Sequence, residues 1–271
     1  MHALGTALSA QDARCGVTLD LRAQAAQYEP ALPPVGDHNR PAALHTWRGR
    51  MVNESGSAAV FEGLAEQFRA LEMPAEARTC LEFAAEERHH GVLCGAVVQA
   101  LGGEATAAGR VNPDYPLHPE VAPLEALVRN LLHISCLSET IAVALIGAER
   151  EEMPEGALRA LLTRIWADEC GHANFGWRTL PKLLALDPTL AGRMGPWLQV
   201  AFADVERHEL EHLPSSDASP DAEGAALGLC SGPHARGILY ATLEQVVVPA
   251  LEAQGMPARQ AWERRSEAAL G

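Results

Sequence analysis

Aromatic side chains are scarce in this chain of 271 residues, at 5% of the composition, and only three of them are tyrosines. Basic residues are also few: 21 lysines and arginines against 35 aspartates and glutamates leave a net charge of −14. A field of that sign repels a phosphate backbone, so we expect no nucleic-acid partner. We find no unbroken apolar run of spanning length and no basic start before a hydrophobic stretch. We therefore expect no membrane span or secretion signal, and a cytoplasmic protein.

Paired cysteine motifs are missing as well. No Cys-x-x-Cys occurs, which argues against an iron–sulfur module bound by cysteine pairs, so any electrons that the protein needs must come from another protein or a small reductant. The widely spaced cysteines are expected to be reduced thiols rather than disulfides. They are Cys15, Cys80, Cys94, Cys136, Cys170 and Cys230.

The composition favours an all-α protein. Hydrophobic residues make up 48% of the chain, which is rich in alanine and leucine and poor in β-branched runs. We expect an N-terminal extension over residues 1–41, four long helices over 42–182, and additional helices over 183–271 that pack on them. In that last region we expect helices at about 191–213 and 234–253, a loop at 214–232, and a short helix after residue 257.

Two Glu-x-x-His pairs are the most informative motif, and each follows a lone glutamate on an apolar helix face. A spacing of three places a carboxylate and an imidazole on the same side of consecutive helical turns, so both can point at one metal ion. The candidate metal and catalytic residues are Glu54, Glu87 and His90 in the first set, and Glu139, Glu169 and His172 in the second.

The positions of the turns indicate that these carboxylates meet. Residues on two antiparallel helices lie level when the turn falls midway between them, and the midpoint of Glu54 and Glu87 falls just before the breaker Leu71–Pro74. The midpoint of Glu139 and Glu169 is Pro154 itself. Carboxylates near the middle of long helices lack water, and burying them is costly unless a cation compensates, so the set is interpreted as a metal site.

Register decides which side chains face inward. On the second helix Glu87 and His90 share a stripe with Cys80, Ala84 and Cys94, which favours them over the overlapping pair Glu86 and His89. The pair Glu86 and His89 stays open as the alternative. The third helix is predicted to be regular, with Cys136, Glu139 and Val143 on one face.

A further group of acids and histidines lies at the end of the predicted fifth helix, between Glu206 and His212. Its four-residue histidine spacing is compatible with a metal site. No apolar stripe runs through it, however, so we interpret it as a solvated helix end.

The order Glu, Glu-x-x-His, Glu, Glu-x-x-His resembles the ferritin-like superfamily of di-iron carboxylate proteins over about residues 42–182, and the first hairpin is similar to those of rubrerythrins. The resemblance implies a four-helix bundle with a long crossover between its second and third helices, here from Gly102–Gly103 to about Pro123. It also implies roles for the six side chains. Glu54 and Glu139 would each bind mainly one metal, Glu87 and Glu169 would bridge or chelate, and His90 and His172 would each cap one metal.

Hard oxygen ligands with one imidazole per metal suit iron or manganese. The expected cofactors are two irons, with a manganese–iron pair or two manganese ions as alternatives, and dioxygen as co-substrate. The three tyrosines lie off the ligand-bearing stripes, which disfavours a stored tyrosyl radical of the kind found in ribonucleotide reductase small subunits.

The expected function is a dimetal oxidase or oxygenase acting on a small organic substrate, because the chain adds helices that can roof a pocket. The alternatives are a ferroxidase, a peroxide-scavenging protein or a dimanganese catalase. A further alternative is a non-enzymatic, metal-loaded structural or cargo protein. An external electron donor and a homodimer are compatible with this interpretation.

Overall fold

Proline marks the start of each helix of the first pair. In the computed structural model, which describes residues 19–108 and 115–268, a short strand β1 (Leu19–Asp20) and one helical turn α1 (Arg22–Ala25) come first. The long helices α2 (Arg40–Ala70) and α3 (Pro74–Ala100) follow, and both carry proline in their first turn, where its missing N–H costs nothing. The predicted turn at Leu71–Pro74 is confirmed. Residues 1–18 of the expected N-terminal extension lie outside the described residues.

The connection from α3 to the next helix crosses the face of α2. Its strand β2 (Thr106–Ala107) pairs antiparallel with β1, with Leu19 opposite Ala107. Farther along, the ring of Tyr115 lies directly over Gly63, and its hydroxyl donates a hydrogen bond to Gln67 at 2.5 Å. These contacts fix the connection on both sides of residues 109–114, which are outside the described part of the chain.

The third long helix is not regular, so this prediction is wrong. It consists of α4 (Pro123–Leu131), a π-helical segment (Leu132–Ser138) and α5 (Glu139–Glu152). A π-turn adds a residue to the helical repeat and shifts the register of all that follows. Cys136 and Glu139 are buried as predicted, but Val143 is partly exposed. The second turn lies at residues 153–156 as predicted, and α6 (Ala157–Leu184) follows.

The C-terminal region is helical, as predicted, with more breaks than predicted. The helix expected at 191–213 is divided in two, and the expected loop at 214–232 contains the helix α9. Asp221 caps α9 by accepting a hydrogen bond from the backbone N–H of Gly224. The elements are α7 (Leu190–Arg193), α8 (Gly195–His212), α9 (Ala222–Ala226), α10 (Gly232–Thr242), a π-helical segment (Leu243–Val247), α11 (Val248–Ala253), α12 (Ala258–Glu263) and α13 (Arg265–Ala268).

The apolar core is divided in two along the long helices. One cluster lies toward the α2–α3 turn and includes Phe61, Phe68 and Leu180; the other lies toward the opposite end and includes Trp47 and Leu162. Between the two clusters, α2, α3, α5 and α6 carry glutamates and histidines that are almost entirely buried. The fold therefore places a polar layer halfway along the four long helices.

The Pro123–Glu152 helix is long and apolar enough, by length and composition alone, to cross a membrane, although polar residues such as Glu139 interrupt its apolar sequence. In its most apolar window 44% of the residues are buried. The same helix carries the buried Glu139, and a core helix of this composition meets the same criteria.

The packing of Tyr115 on Gly63 can be tested with a matched pair of glycines in α2. A Cβ at position 63 would lie 2.6 Å from the Tyr115 ring, whereas a Cβ at position 49 meets nothing within 4 Å. We expect Gly63→Ala to lower the free energy of unfolding by about 1–3 kcal/mol, because the ring must move. Gly49→Ala should leave it unchanged or raise it by up to about 1 kcal/mol, in keeping with helix propensity. Urea denaturation measures both, and equal effects would contradict the packing.

Candidate metal centre

Six predicted side chains come together in the polar layer. Glu54 comes from α2, Glu87 and His90 from α3, Glu139 from α5, and Glu169 and His172 from α6. All but Glu54 are buried, with 6% exposure or less, and the side chain of Glu54 is 12% exposed. The layer thus holds four carboxylates and two imidazoles almost without solvent.

These side chains form two overlapping groups, and each group can hold a metal ion. Ligand atoms of the first group all lie within 4.8 Å of one another, as do those of the second. Glu87 and Glu169 belong to both groups, so the two sites share a pair of carboxylates. The first group is Glu54, Glu87, His90 and Glu169; the second is Glu87, Glu139, Glu169 and His172.

Each imidazole turns its Nδ1 atom toward the carboxylates. His172 Nδ1 lies 3.0 Å from an oxygen of Glu87 and 3.0 Å from an oxygen of Glu169. His90 Nδ1 lies 3.3 Å from Glu169 and 3.5 Å from Glu54. A nitrogen directed at several carboxylate oxygens is in position to complete the coordination of a cation that the oxygens bind.

The outer nitrogen of each histidine bonds to an acid of the other motif. His90 Nε2 lies 3.0 Å from Asp168, and His172 Nε2 lies 2.9 Å from Glu86. Asp168 and Glu86 immediately precede Glu169 and Glu87 in the sequence. In the neutral imidazole, a proton on Nε2 that is donated to the outer acid leaves the lone pair of Nδ1 directed at the centre, where a metal can take it.

Sequence reasoning missed both acids as partners of the site. The signal was present, because each Glu-x-x-His pair has an acidic residue directly before it. On a single helix, however, that position is on the flank of the ligand stripe, and Glu86 and Asp168 are indeed 43% and 32% exposed at their side chains. Only the crossing of α3 and α6 brings them to the histidines.

The structure also decides between the two overlapping pairs on α3. Glu87 and His90 are buried in the centre, while His89 is partly exposed and its ring lies 5.7 Å from that of Tyr28. Glu86 contacts the site from outside through His172. The favoured register is therefore the one that the apolar stripe predicted.

Burial and mutual repulsion determine the protonation of the metal-free centre. Burial, together with the nearby carboxylate of Glu169, raises the pKa of Glu87 and of Glu139 well above the ordinary value. Burial acts in the opposite direction on the imidazoles, but the facing carboxylates outweigh it. They raise the pKa of His90 to about 11 and that of His172 to about 9.

Glu169 differs from the other buried carboxyls. Burial alone would raise its pKa, but its interactions with His172 and His90 outweigh burial and hold the pKa below the usual range. Without a cation, protons on the imidazoles and carboxyls thus take over part of the charge compensation.

The residues fit a pair of divalent cations. Glu87 Oε2 and His90 Nδ1 are buried without a hydrogen-bond partner in the described part of the chain, although His90 Nδ1 has carboxylate oxygens at 3.3, 3.5 and 3.9 Å. Ligand atoms bound at about 2.1 Å to one ion lie about 3.0–3.5 Å apart, which is close to this arrangement. The four negative charges of the ionised glutamates would balance the four positive charges of two divalent ions.

Neither the cysteines nor the cluster at the end of α8 adds a ligand. Cys80, Cys94, Cys136, Cys170 and Cys230 are free, and none belongs to either group; Cys15 lies outside the described residues. Near the end of α8, Glu206 pairs with Arg265, and His212 Nδ1 bonds to the backbone carbonyl of His208. Among residues 19–108 and 115–268 the two groups above are the only candidates for a metal.

The outer acids provide a test of how the histidines are oriented. Removing the charge with Glu86→Gln or Asp168→Asn should weaken metal binding by about 10- to 100-fold without abolishing it, because the imidazole keeps its position but loses its strong acceptor. Titration with Co(II), followed by its absorption, measures the affinity. The control is Glu82→Gln, because Glu82 is an exposed acid of α3 that lies one turn before Glu86. An affinity unchanged in both outer-acid variants would contradict the proposed orientation.

The raised histidine pKa predicts how the metal-free protein responds to pH. An imidazole whose folded pKa exceeds its unfolded value stabilises the fold below the unfolded pKa, and this contribution is lost as the pH rises through the folded pKa. For His172 the window runs from the ordinary value of 6.5 to about 9. The Tm of chelator-treated protein should therefore fall across that window.

Differential scanning calorimetry at a series of pH values measures this effect. The metal-loaded protein serves as the control and should not show the fall, because imidazoles bind metals in the neutral form. A Tm that is level or rises with pH in the metal-free protein would show that the carboxylates do not hold protons on the histidines.

No family model matches the chain, and no curated protein matches it. The chemistry of the site itself is therefore the basis on which a function can be inferred. Buried glutamates and histidines from four helices form two groups with shared carboxylates, and these groups can hold metal ions.

Proposed function

We propose that the protein is a ferritin-like dimetal enzyme, a di-iron oxidase or oxygenase that uses dioxygen to oxidise a small organic substrate. The observation that carries the proposal is the sharing of Glu87 and Glu169 between two buried ligand groups. Carboxylates shared in this way would hold two ions close enough to act together on dioxygen.

The donor set supports iron as the metal. Each ion would have carboxylate oxygens and one imidazole, a set that suits iron or manganese better than the softer metals that prefer thiolates. Glu54 and His90 would complete one site, Glu139 and His172 the other. When bound, a pair of reduced irons supplies the two electrons that the first step of dioxygen reduction needs.

The protein's own residues keep this centre dry and oriented. The rings of Phe61 and Phe83 lie 5.2 and 4.4 Å from that of His172 and exclude water on that side. Glu86 and Asp168 hold the Nε2 protons of the two histidines. A dry site strengthens every electrostatic interaction within it and limits the escape of reactive species.

Two features favour oxidation of an organic substrate over iron storage. The π-helical segment Leu132–Ser138 ends directly before Glu139, and such segments are frequent at functional sites. In addition, α10 packs on α5, and α8 packs on the π-helical segment, so the extra helices cover the third long helix. On the side of the third long helix, the centre is therefore covered by helices that a simple four-helix protein lacks. The electrons for repeated turnover would come from an external donor.

The proposal is tested by dioxygen uptake after anaerobic loading with Fe(II). We expect uptake by wild-type protein that requires an organic compound and a reductant. Glu87→Ala and His172→Ala should abolish loading with two metals, because each removes a buried ligand of the cluster. Glu62→Ala is the matched control, since Glu62 is exposed and pairs with Arg88.

The outcomes separate the candidate functions. Stoichiometric uptake with Fe(II) alone would assign a ferroxidase or storage role, and rapid disproportionation of hydrogen peroxide would assign a catalase. Metal loading without any redox turnover would assign a structural role. Equal loading of all three variants would refute the metal site itself.

A further inference from the structure

A groove lies outside the metal centre, between α3 and α6. Its volume is about 350 Å³. The groove has polar sides, two cationic side chains, one acidic side chain (Glu76) and two aromatic rings. The residues that matter for its chemistry are Thr79, Phe83, Asn174, Phe175, Arg178 and Lys182.

The two helices run antiparallel, and three contacts give the direction of the groove. Lys182 Nζ lies 3.7 Å from Glu76, and the rings of Phe83 and Phe175 lie 5.4 Å apart. One turn farther along, His172 meets Glu86 at 2.9 Å. The groove therefore starts near Lys182, passes the rings of Phe83 and Phe175, and reaches Gly171, the residue directly before His172.

The cationic end can bind an anion. Arg178 is exposed and makes no hydrogen bond or ion pair with the described residues, and Lys182 has only its 3.7 Å contact with Glu76. Glu76 is the one acid in the lining, so Arg178 and Lys182 leave the groove with a net charge of +1 on a chain whose net charge is −14. That local charge favours an anionic ligand. A guanidinium binds a carboxylate through two parallel hydrogen bonds, which gives both affinity and orientation.

The aromatic floor can bind a ring. Phe83 and Phe175 line the groove and are both partly exposed, so part of each ring can contact a ligand there. Offset or edge-to-face contacts with a third ring are favourable by about 0.5–1.5 kcal/mol per pair beyond the burial of area. Arg178 lies one turn after Phe175, about 4.5 Å farther along the helix axis, a separation that matches a ring and its carboxylate.

We propose that this groove binds a small aromatic carboxylate, with its carboxylate on Arg178 and its ring against Phe83 and Phe175. None of the lining residues is a candidate metal ligand. The ring of Phe83 lies between the groove and His172, at 4.4 Å from the imidazole. The bound acid is thus a separate ligand, held beside the centre and not within it.

Calorimetric titration of metal-free, full-length protein with benzoate and phenylacetate tests this site. We expect saturable binding of one molecule per chain. Arg178→Gln should weaken it by about tenfold, the loss of one charge-assisted pair. Arg164→Gln is the matched control, because Arg164 is another exposed arginine of α6 without a partner among the described side chains. Arg164 lies outside the groove, so the Arg164→Gln variant should bind benzoate with the affinity of wild type.

Two further comparisons test the aromatic part of the site. Phe175→Leu keeps the floor apolar but removes the ring face, so it should weaken benzoate binding several-fold. Cyclohexanecarboxylate, which keeps the charge and loses the aromatic ring, should bind more weakly than benzoate. Circular dichroism of each variant should match that of wild type, which separates loss of the site from loss of the fold.

Three results would overturn the proposal: no saturable binding up to millimolar concentrations, equal affinity in wild type and Arg178→Gln, or equal affinity for benzoate and cyclohexanecarboxylate. The variant Glu87→Gln should still bind benzoate, because Glu87 is not in the groove. Benzoate binding in the groove is therefore tested independently of the dimetal centre.

Discussion

The repulsion between four carboxylates, three of them buried, halfway along the long helices is the constraint on which the rest of the structure depends. Glu87, Glu139 and Glu169 lie in a layer with little water, between two apolar clusters that would pack more favourably against apolar side chains. Such a layer persists when protons, imidazoles or cations compensate the charge. Protons and histidines compensate it in part, as the raised pKa of Glu87 shows. Two divalent ions would compensate it in full.

The two Glu-x-x-His motifs complete each other. Each contributes the acid that orients the other's histidine, Asp168 for His90 and Glu86 for His172. The bonds cross between α3 and α6, two helices that stand far enough apart to leave a groove between them. Polar contacts thus join these two helices at the level of the centre. The arrangement also connects each buried imidazole to an acid at the surface.

The departures from a plain set of four helices concentrate on the third one. It contains the π-helical segment Leu132–Ser138, and it receives α8 and α10 from the C-terminal region. The long connection before it is fixed by Tyr115, which packs on Gly63 and bonds to Gln67. The opposite pair, α3 and α6, is left with an open groove. One side of the centre is therefore covered by additional structure, and the other faces a small cationic pocket.

Local sequence determined the helices, both hairpin turns and the six candidate ligands, because helical periodicity and proline breakers act between neighbours in the chain. The apolar stripe through Cys80 and Cys94 likewise favoured Glu87 and His90 over the overlapping pair. Tertiary structure alone decided the roles of Glu86 and Asp168, the π-turn before Glu139, the helix α9 and the groove beside Arg178. Each of these depends on how helices distant in sequence rotate and cross, and no window of a single helix contains that information.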